Sequence, residues 1–439
     1  MSLSQNLTKS IRVNYNASNS NIVPNINGNQ SDLNSSDIGI FDNFFNIGDP
    51  DYFNQNFSIN YSLPFNLIPF LNFIDGSYNY SGDFNWQRGS DMLNNISSET
   101  GEVLGRVNTI QNANTQNFSL SLNFDKIYRT IPWLNKNESI IPDLIKSLKR
   151  VRFNYSENSG KVLPGYIPSI GFLGTARPSI GFVFGNQSDI RYEAAKNGWL
   201  TDFPNFNQPF QQIFNSDFDF SGELELFNSI RIDLNANRRY SNNFSENFSV
   251  INNTYSALNP NYYGNFSIST NMLKTSFSRR DKNFSNSFEK MKNNRLIVAQ
   301  RLISQKNLNN INLDSEGFPI GFSKNSQEVL INSFLSAYLG KNPNDISLNP
   351  ISKSPKLNWS LQYDGLSKLF ENFISRLSIG HGYRSSFTIN NFRSNLNYSP
   401  NSFDNSGNYM SEKLYSNINL VEQFNPLIEV DIEFKNSLR

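Results

Sequence analysis

The chain contains no cysteine, which excludes disulfides, thiol chemistry and Cys-ligated metal. It has one histidine, His381, and a lone imidazole makes a poor metal centre or general base. There is no run of ~18 apolar residues and therefore no expected transmembrane helix. The net charge is +1 and no basic cluster stands out, so nucleic acid is not an expected partner. Met1 is followed by SLSQNLTKSIR, which lacks the apolar core of a signal peptide; if the protein is exported, this start is not expected to be its natural N-terminus. Alanine is scarce. What is plentiful is Phe and Tyr, 38 and 19 in 439 residues, together with Asn and Ser. A chain this long can bury several ordinary cores, but the hydrophobic fraction is 37% and the mean hydropathy −0.49. Aromatic-rich, alanine-poor sequence favours strands over helices.

The stretch 216–240, SDFDFSGELELFNSIRIDLNANRRY, has two faces. Phe218, Phe220, Gly222, Leu224 and Leu226 alternate with Asp217, Asp219, Ser221, Glu223 and Glu225. Successive strand side chains point to opposite faces, so one face is apolar and the other acidic. After Phe227-Asn228-Ser229 the pattern resumes, with Ile230, Ile232, Leu234 and Ala236 against Arg231, Asp233, Asn235 and Asn237. A three-residue turn pairs 226 with 230, 224 with 232 and 220 with 236. On the polar face it brings Glu225 to Arg231 and Asp217 to Arg239, which are favourable cross-strand pairs. Glu223 opposite Asp233 is tolerable only where water reaches it. The spacing thus predicts a hairpin with one wet face.

Similar alternation recurs along the chain. Strands are expected at 11–17, 53–63, 74–86, 118–124 and 151–155, then in the hairpin, then around 244–254, 263–274, 356–366, 377–389, 414–420 and 428–434. Short helices are expected near 142–148, 284–305 and 326–339, the last with a capping box from Asn325 and Glu328 and a stop at Gly340. Short turns (64–73, 227–229, 367–373, 425–427) alternate with long polar loops (18–52, 88–109, 159–215, 391–412). That asymmetry fits an outer-membrane barrel with short periplasmic turns and long extracellular loops. An even number of crossings must separate the turns at 227–229 and 367–373, and 244–254 supplies the fourth. The expected fold is all-β: an antiparallel transmembrane β-barrel portion of about 13 strands, with a few short helices in loop inserts. Residues 1–439 would form part of one larger barrel.

Within that frame, Asp217, Asp219, Glu223, Glu225, Arg231, Asp233 and Arg239 are candidate pore-lining residues. They repeat along strands instead of converging, so pore-wall solvation is favoured over a catalytic carboxylate pair or a cation site. Phe218, Phe220, Leu224, Leu226, Ile230, Ile232 and Leu234 are candidate lipid-facing residues. His381 shares parity with Leu377, Ile379, Tyr383 and Phe387 and is expected to point outward. Tyr78, Tyr80, Trp86, Trp359, Tyr363 and Tyr383 suit interfacial girdles or ordinary outward packing. The glycines of GFLG (171–174) and GHG (380–382) lack the context of a phosphate loop and fit close packing or bends. The loop 159–215 is too long for a passive connector and is expected over or in the pore mouth. Leu163, Pro164, Gly165, Tyr166, Phe172, Phe182, Phe184 and Trp199 are its candidate partner contacts. The insert 275–355 is a second candidate cap. No catalytic residue, cofactor or metal is expected.

One further stretch is distinctive: KVLPGYIPSIGFLGTARPSIGFVFGNQSDIRYEAAKNGWL at 161–200. Together with TKSIRVNYNASNSN (8–21), FNWQRG (84–89), GNFSIS (264–269), NNRLIVAQRL (293–302), GFPIGFSKNSQ (317–327) and LSIGHGYRSSF (377–387), it resembles the SprA/Sov family. These are the outer-membrane translocons of the type IX secretion system in gliding and secreting bacteria. The resemblance runs in order along essentially the whole chain. It implies a single-chain barrel near the ~36-strand upper limit that exports folded cargo proteins with C-terminal signal domains. It also implies a PorV-type small outer-membrane barrel over a lateral opening and a periplasmic plug protein. Against the family pattern the chain matches a C-terminal-side portion, without the signal sequence, the first strands or the closing strands. Two other functions fit the alternation: a nutrient-uptake receptor barrel, which needs an N-terminal plug domain, and a soluble β-rich surface adhesin.

Overall fold

Alternating sequence leaves every backbone N–H and C=O free to pair laterally, and here they pair with one another across a single sheet. The structure, a computed structural model, describes residues 1–22, 49–90, 101, 107–136, 140–170, 177–227, 229–306, 311–370 and 372–435. Thirteen strands form one antiparallel sheet. They are β1 (Ser2–Asn6), β2 (Ile11–Ile22), β3 (Asp49–Leu63), β4 (Ile74–Arg88), β5 (Asn108–Asn123), β6 (Leu148–Tyr166), β7 (Phe210–Leu226), β8 (Ile230–Ile251), β9 (Thr254–Ser269), β10 (Asn358–Tyr363), β11 (Ile374–Ser394), β12 (Lys413–Phe424) and β13 (Glu429–Phe434). The helices are short except in one insert. They are α1 (Phe124–Tyr128), α2 (Pro132–Lys136), α3 (Ile140–Ile145), α4 (Ile180–Val183), α5 (Arg191–Lys196), α6 (Leu273–Ser276), α7 (Asn286–Ser304) and α8 (Gln327–Tyr338).

The hairpin β7–β8 has the register that its alternation demands. Leu226 faces Ile230, Leu224 faces Ile232, Phe220 faces Ala236, Glu225 faces Arg231, Asp217 faces Arg239 and Glu223 faces Asp233. The count of thirteen matches the expectation, but the strands are divided differently. β8 runs unbroken through 230–251, so 230–240 and 244–254 are one strand. It turns at Asn252 and Asn253, both in the left-handed region at φ 50° and 56°, as a two-residue hairpin requires. β9 pairs with the upper part of β8 and β10 with its lower part. β9 and β10 therefore lie end to end as one crossing, interrupted by residues 270–357. The crossings between the turns at 227–229 and 364–373 are two, an even number reached without a fourth strand.

The same device recurs at the far edge. β12 pairs with Tyr383–Ser394 of β11 and β13 with Ile374–Gly380. Asn425-Pro426 is thus a break within one crossing and not a reversing turn. The Gly382 amide donates to the Pro426 carbonyl at 2.8 Å and the Asn425 amide to the Gly382 carbonyl at 2.9 Å. Gly382 is required there, because a Cβ would stand 2.3 Å from the Asn425 oxygen. Thirteen strands consequently fill eleven sheet positions. β1, absent from the sequence-based reading, pairs with β2. Residues 18–22 and 49–52, expected in a loop, extend β2 and β3. Among the described residues β1 pairs only with β2, and β12 and β13 only with β11, so both sheet edges are open.

The two faces differ from end to end. One carries Arg12, Asn14, Asn60, Ser58, Asn79, Ser81, Asn117, Ser119, Asn154 and Ser156, continuing into Asp217, Asp219 and Asn237. Its amides and hydroxyls bond across strands: Asn14 Nδ2 to Ser58 Oγ at 3.1 Å, Asn56 Nδ2 to Asp83 Oδ1 at 2.7 Å, and Thr115 Oγ1 to Asn158 Oδ1 at 2.8 Å. The other face carries the apolar rows, and both large covers lie on it. Residues 167–170 and 177–209 pack over the upper ends of β3–β8, and the described residues of the insert 270–357 pack over β9, β11 and β12. In the insert α7 and α8 share a core of Val298, Leu302 and Val329, while Ile331 and Leu335 of α8 meet Phe266, Ile268, Phe387 and Ile389 of the sheet. The N-cap of α8 is Ser326, without a side-chain cap bond, so the expected Asn325–Glu328 box does not form.

Candidate functional site

The acidic row stands on the polar face as the alternation requires. Asp219, Arg231, Asp233 and Arg239 are exposed, and Asp217, Glu223 and Glu225 half-exposed. Arg239 reaches Asp217 at 3.8 Å, both well exposed; such a pair contributes only ~0–1 kcal/mol. Glu225 has its ion pair with Lys149, at 3.8 Å, and Lys149 also reaches Asp125 at 3.6 Å. Arg150 faces Glu223 across the strand pair. The structure thereby supplies cations from β6 that the hairpin sequence by itself does not contain, and they offset the like-charged Glu223–Asp233 pair. Glu223, Glu225, Arg231 and Asp233 line an open cavity of 410 Å³ with Asn123, Asp125, Lys149 and Arg150, near the short-turn end. The charges alternate in sign and are solvated. Among the described residues no group of three or more His, Asp or Glu is arranged to hold a metal ion.

The seven candidate lipid-facing residues, Phe218, Phe220, Leu224, Leu226, Ile230, Ile232 and Leu234, share the opposite face and are all half-buried. They belong to a band of apolar side chains with no element above it among the described residues. On neighbouring strands it continues as Tyr61, Tyr78, Leu120, Phe118, Phe153 and Tyr155 on one side and Leu361 and Ile379 on the other. At the short-turn rim Phe70 is 80% and Phe373 75% exposed.

Farther up the same face the band ends under residues 167–170 and 177–209. Leu163, Pro164, Gly165 and Tyr166 finish β6 and are buried, and Phe182 is fully buried. Leu163, Pro164, Gly165 and Tyr166 thus lie in the sheet beneath the cover, and Phe182 lies in the cover against it. Phe184 and Trp199 stay partly exposed; Phe172 and the GFLG run lie outside the described residues. Trp86 is buried under the same cover, its Nε1 donating to the Pro168 carbonyl at 3.1 Å. Tyr383 is buried against Trp359, ring centroids 4.5 Å apart. Neither can serve as an interfacial girdle residue. His381 contacts the break between β12 and β13, with Nδ1 2.6 Å from the Leu427 carbonyl.

The docking of residues 177–209 uses side chains that interrupt the apolar rows. Every carbonyl from Phe182 to Ser188 accepts from a strand side chain. Asn112 Nδ2 serves Phe182 (3.1 Å) and Asn186 (2.8 Å), Gln55 Nε2 serves Val183 (3.2 Å), and Tyr80 Oη serves Phe184 (2.6 Å). Asn114 Nδ2 serves Gly185 (2.8 Å), and Lys161 Nζ serves Gln187 and Ser188, the latter at 2.9 Å. The bonds to the Phe182, Val183 and Gly185 carbonyls are buried from water, and there a lost partner costs ~1–3 kcal/mol. Two glycines permit the approach. A Cβ on Gly82 would lie 2.2 Å from the Phe184 oxygen, and Gly185, at φ +93°, would meet the Tyr80 hydroxyl at 2.7 Å.

A charged clamp holds the other end of the cover. Arg191, at the start of α5, donates to both oxygens of Asp189, at 2.9 and 2.7 Å, and to Glu246 of β8. Glu246 is 3% exposed and also accepts from the Tyr255 hydroxyl at 2.7 Å. The guanidinium lies 4.6 Å from the Phe210 ring and 5.4 Å from that of Phe244. Burial alone would push the Asp189 carboxyl up, but the bonds and charge of Arg191 hold it below its ordinary value. Burial likewise opposes the charge on Arg191, which Asp189 and Glu246 raise above its usual range. Sequence reasoning missed this platform. Its signal was Gln55, Asn112, Asn114 and Lys161 standing at apolar-parity positions.

No protein-family model matches this chain, and no curated protein matches it. The site is therefore read from its own geometry: a wall with a solvated charged face, an open apolar band and a docked cover beyond the band.

Proposed function

We propose that the chain forms part of the wall of a large outer-membrane β-barrel, and that this barrel is the protein-conducting channel of a type IX secretion system. The observation that carries the barrel reading is a single antiparallel layer, polar across one whole face, whose opposite face bears an uncovered apolar band. In water such a contiguous band is an association or aggregation site; in a bilayer it meets lipid. The open stretch of β7, residues 218–226, agrees with the ~9–11 tilted residues that cross the hydrocarbon. Open edges are intolerable in lipid, so the sheet requires further strands on both sides. Connections at the end bearing the 227–229 and 364–373 turns are mostly short and those at the other end mostly long, which fits periplasmic turns and outer loops. The polar face is then the pore wall, solvated by the Asp217–Glu225 row and its Arg and Lys neighbours.

The secretion reading rests on the resemblance of the 161–200 run and its companions to the SprA/Sov family. Under it, the transported partners are folded cargo proteins with C-terminal signal domains, and a PorV-type small barrel and a periplasmic plug protein attend the channel. The reading assigns no catalytic residue and no cofactor to the chain. Two measurements test it. The protein purified from its own outer membrane should float with lipid and migrate faster on gels before boiling than after; recovery in the soluble fraction, unshifted by heat, contradicts the barrel. Disrupting the gene should empty the culture medium of proteins bearing the C-terminal signal domain; unchanged export contradicts the translocon.

A further inference from the structure

The described residues of the insert 270–357 form with the sheet a half-open cavity of 480 Å³, within the size range of ligand pockets. Ile268 and Phe387 of β9 and β11 form its floor, and Leu335, Leu339 and Ile346 its apolar wall. Lys274, Lys341 and Lys356 stand among the lining residues, which include no carboxylate. All three lysines are exposed, and among the described residues none of them makes an ion pair.

Their backbones are fixed. The Lys341 amide donates to the Ser336 carbonyl at 2.9 Å, and Ser336 Oγ donates to the Lys341 carbonyl at 3.0 Å. The Lys356 amide donates to Ser269 O at 2.9 Å, and Ser269 Oγ returns a bond to Lys356 O at 2.7 Å. Lys274 abuts Gly340, where a Cβ would stand 2.8 Å from its own Cβ. Gly340 is at φ +60°, which closes α8 and turns the chain toward Lys341. The surrounding insert partly desolvates the Lys341 ammonium although its side chain is solvent-accessible, and this, with the neighbouring Lys356 charge second, pushes it below its ordinary pKa. Three ammoniums collected without a counter-ion beside an apolar trough favour a ligand that brings both an anion and a hydrocarbon chain.

The position of the pocket agrees with this. It lies where β9 ends at Ser269 and β10 begins at Asn358. Trp359, the next residue, pairs with Leu234 at the upper margin of the open apolar band. At ~3.3 Å per residue, Lys356 stands about 10 Å beyond that margin, on the side where a lipid's head group lies if the band is in hydrocarbon.

We infer that this pocket binds a phosphorylated lipid, its phosphate held by Lys274, Lys341 and Lys356 and the first part of an acyl chain laid over Ile268, Phe387 and Leu335. The inference rests on the membrane reading above. It is tested separately, by calorimetric titration of the full chain in a neutral detergent with short-chain phosphatidic acid, short-chain phosphatidylcholine and inorganic phosphate. Phosphatidic acid should bind at least about tenfold more tightly than either of the others, a difference of about 1.4 kcal/mol. The Lys341→Gln/Lys356→Gln double variant should lose that preference, and Lys341→Arg/Lys356→Arg should keep it. Equal affinity for phosphatidylcholine, or full affinity in the glutamine variant, overturns the inference. Inorganic phosphate binding as tightly as the lipid also overturns it and leaves a simple anion site. Since the titration needs no bilayer, a chain that binds phosphatidic acid but fails to float with membranes refutes the barrel and not the pocket.

Discussion

The two halves of β7 have the same alternation and opposite fates. Phe210 at the upper end is 1% exposed beneath the cover of residues 167–170 and 177–209, whereas no described element lies over Phe220, on the same face nearer the turn. The difference is written in the neighbouring strands. Beside the upper half the apolar row is broken by Asn112, Asn114 and Lys161, which bond the carbonyls of the cover. Beside the lower half the row reads Phe118, Leu120, Phe153 and Tyr155, aromatic or aliphatic at each position. A face covered by protein carries polar partners for the backbone that lands on it; on the proposed reading the lower half meets lipid, which has no backbone to satisfy, and so carries none.

The sharpest way to break this comparison is at the clamp. Arg191→Ala leaves Glu246 buried without its cation, which costs about 3–5 kcal/mol. The expected outcome is loss of amide-exchange protection through residues 177–209 while strands β4–β7 stay protected; an unchanged cover contradicts the assigned role. Next is the lower half. Leu224→Arg should destabilise the folded membrane form by about 2–4 kcal/mol, read by urea unfolding in lipid vesicles. Leu224→Arg with no effect there means that the band does not face hydrocarbon.

Gly82→Ala drives a methyl into the Phe184 carbonyl, and about 1–3 kcal/mol of overpacking should raise protease nicking within 177–209 without altering membrane association. Acid acts on the same cover. The Asp189 carboxyl is held below 3.8, so its contribution is complete above that pH and is lost as pH falls through its lower folded value. Exchange in the cover, corrected for intrinsic rates, should rise there in the parent and not in Asp189→Asn. The smallest effect belongs to the wet face: Asp217→Asn removes an exposed pair worth ~0–1 kcal/mol and should leave stability unchanged within error.

The sequence makes local geometry legible and leaves distant contacts hidden. The β7–β8 register follows from parity alone, since a one-residue slip would turn Leu224 and Ile232 to water. Strand ends were harder. β5 reads from 118 by alternation but begins at Asn108, because Asn108, Asn112 and Asn114 occupy apolar-parity positions whose partners lie many residues away. Asn242-Asn243 looks like a turn but is the middle of β8, while the true turn is Asn252-Asn253. Phe424-Asn425-Pro426 carries turn chemistry and yet only breaks one crossing, since Gly382 admits it against β11. No local pattern reveals that β9 and β10 are one crossing with residues 270–357 between them. Nor does one reveal that both covers lie on the apolar side, opposite the carboxylates. The polar interruptions at Gln55, Asn112, Asn114 and Lys161 were the available clue, visible only once the alternation is carried past each break.

The central claim is that adjacent residues of β7 face different solvents, and a chain without cysteine permits a clean test. Phe220→Cys and Asp219→Cys, each labelled with a fluorophore in protein reconstituted from the outer membrane, can be challenged with a lipid-borne quencher and with iodide. The account predicts that the label at 220 is quenched from the lipid and spared by iodide, and that the label at 219 behaves in the opposite way. Iodide reaching both labels equally would contradict it.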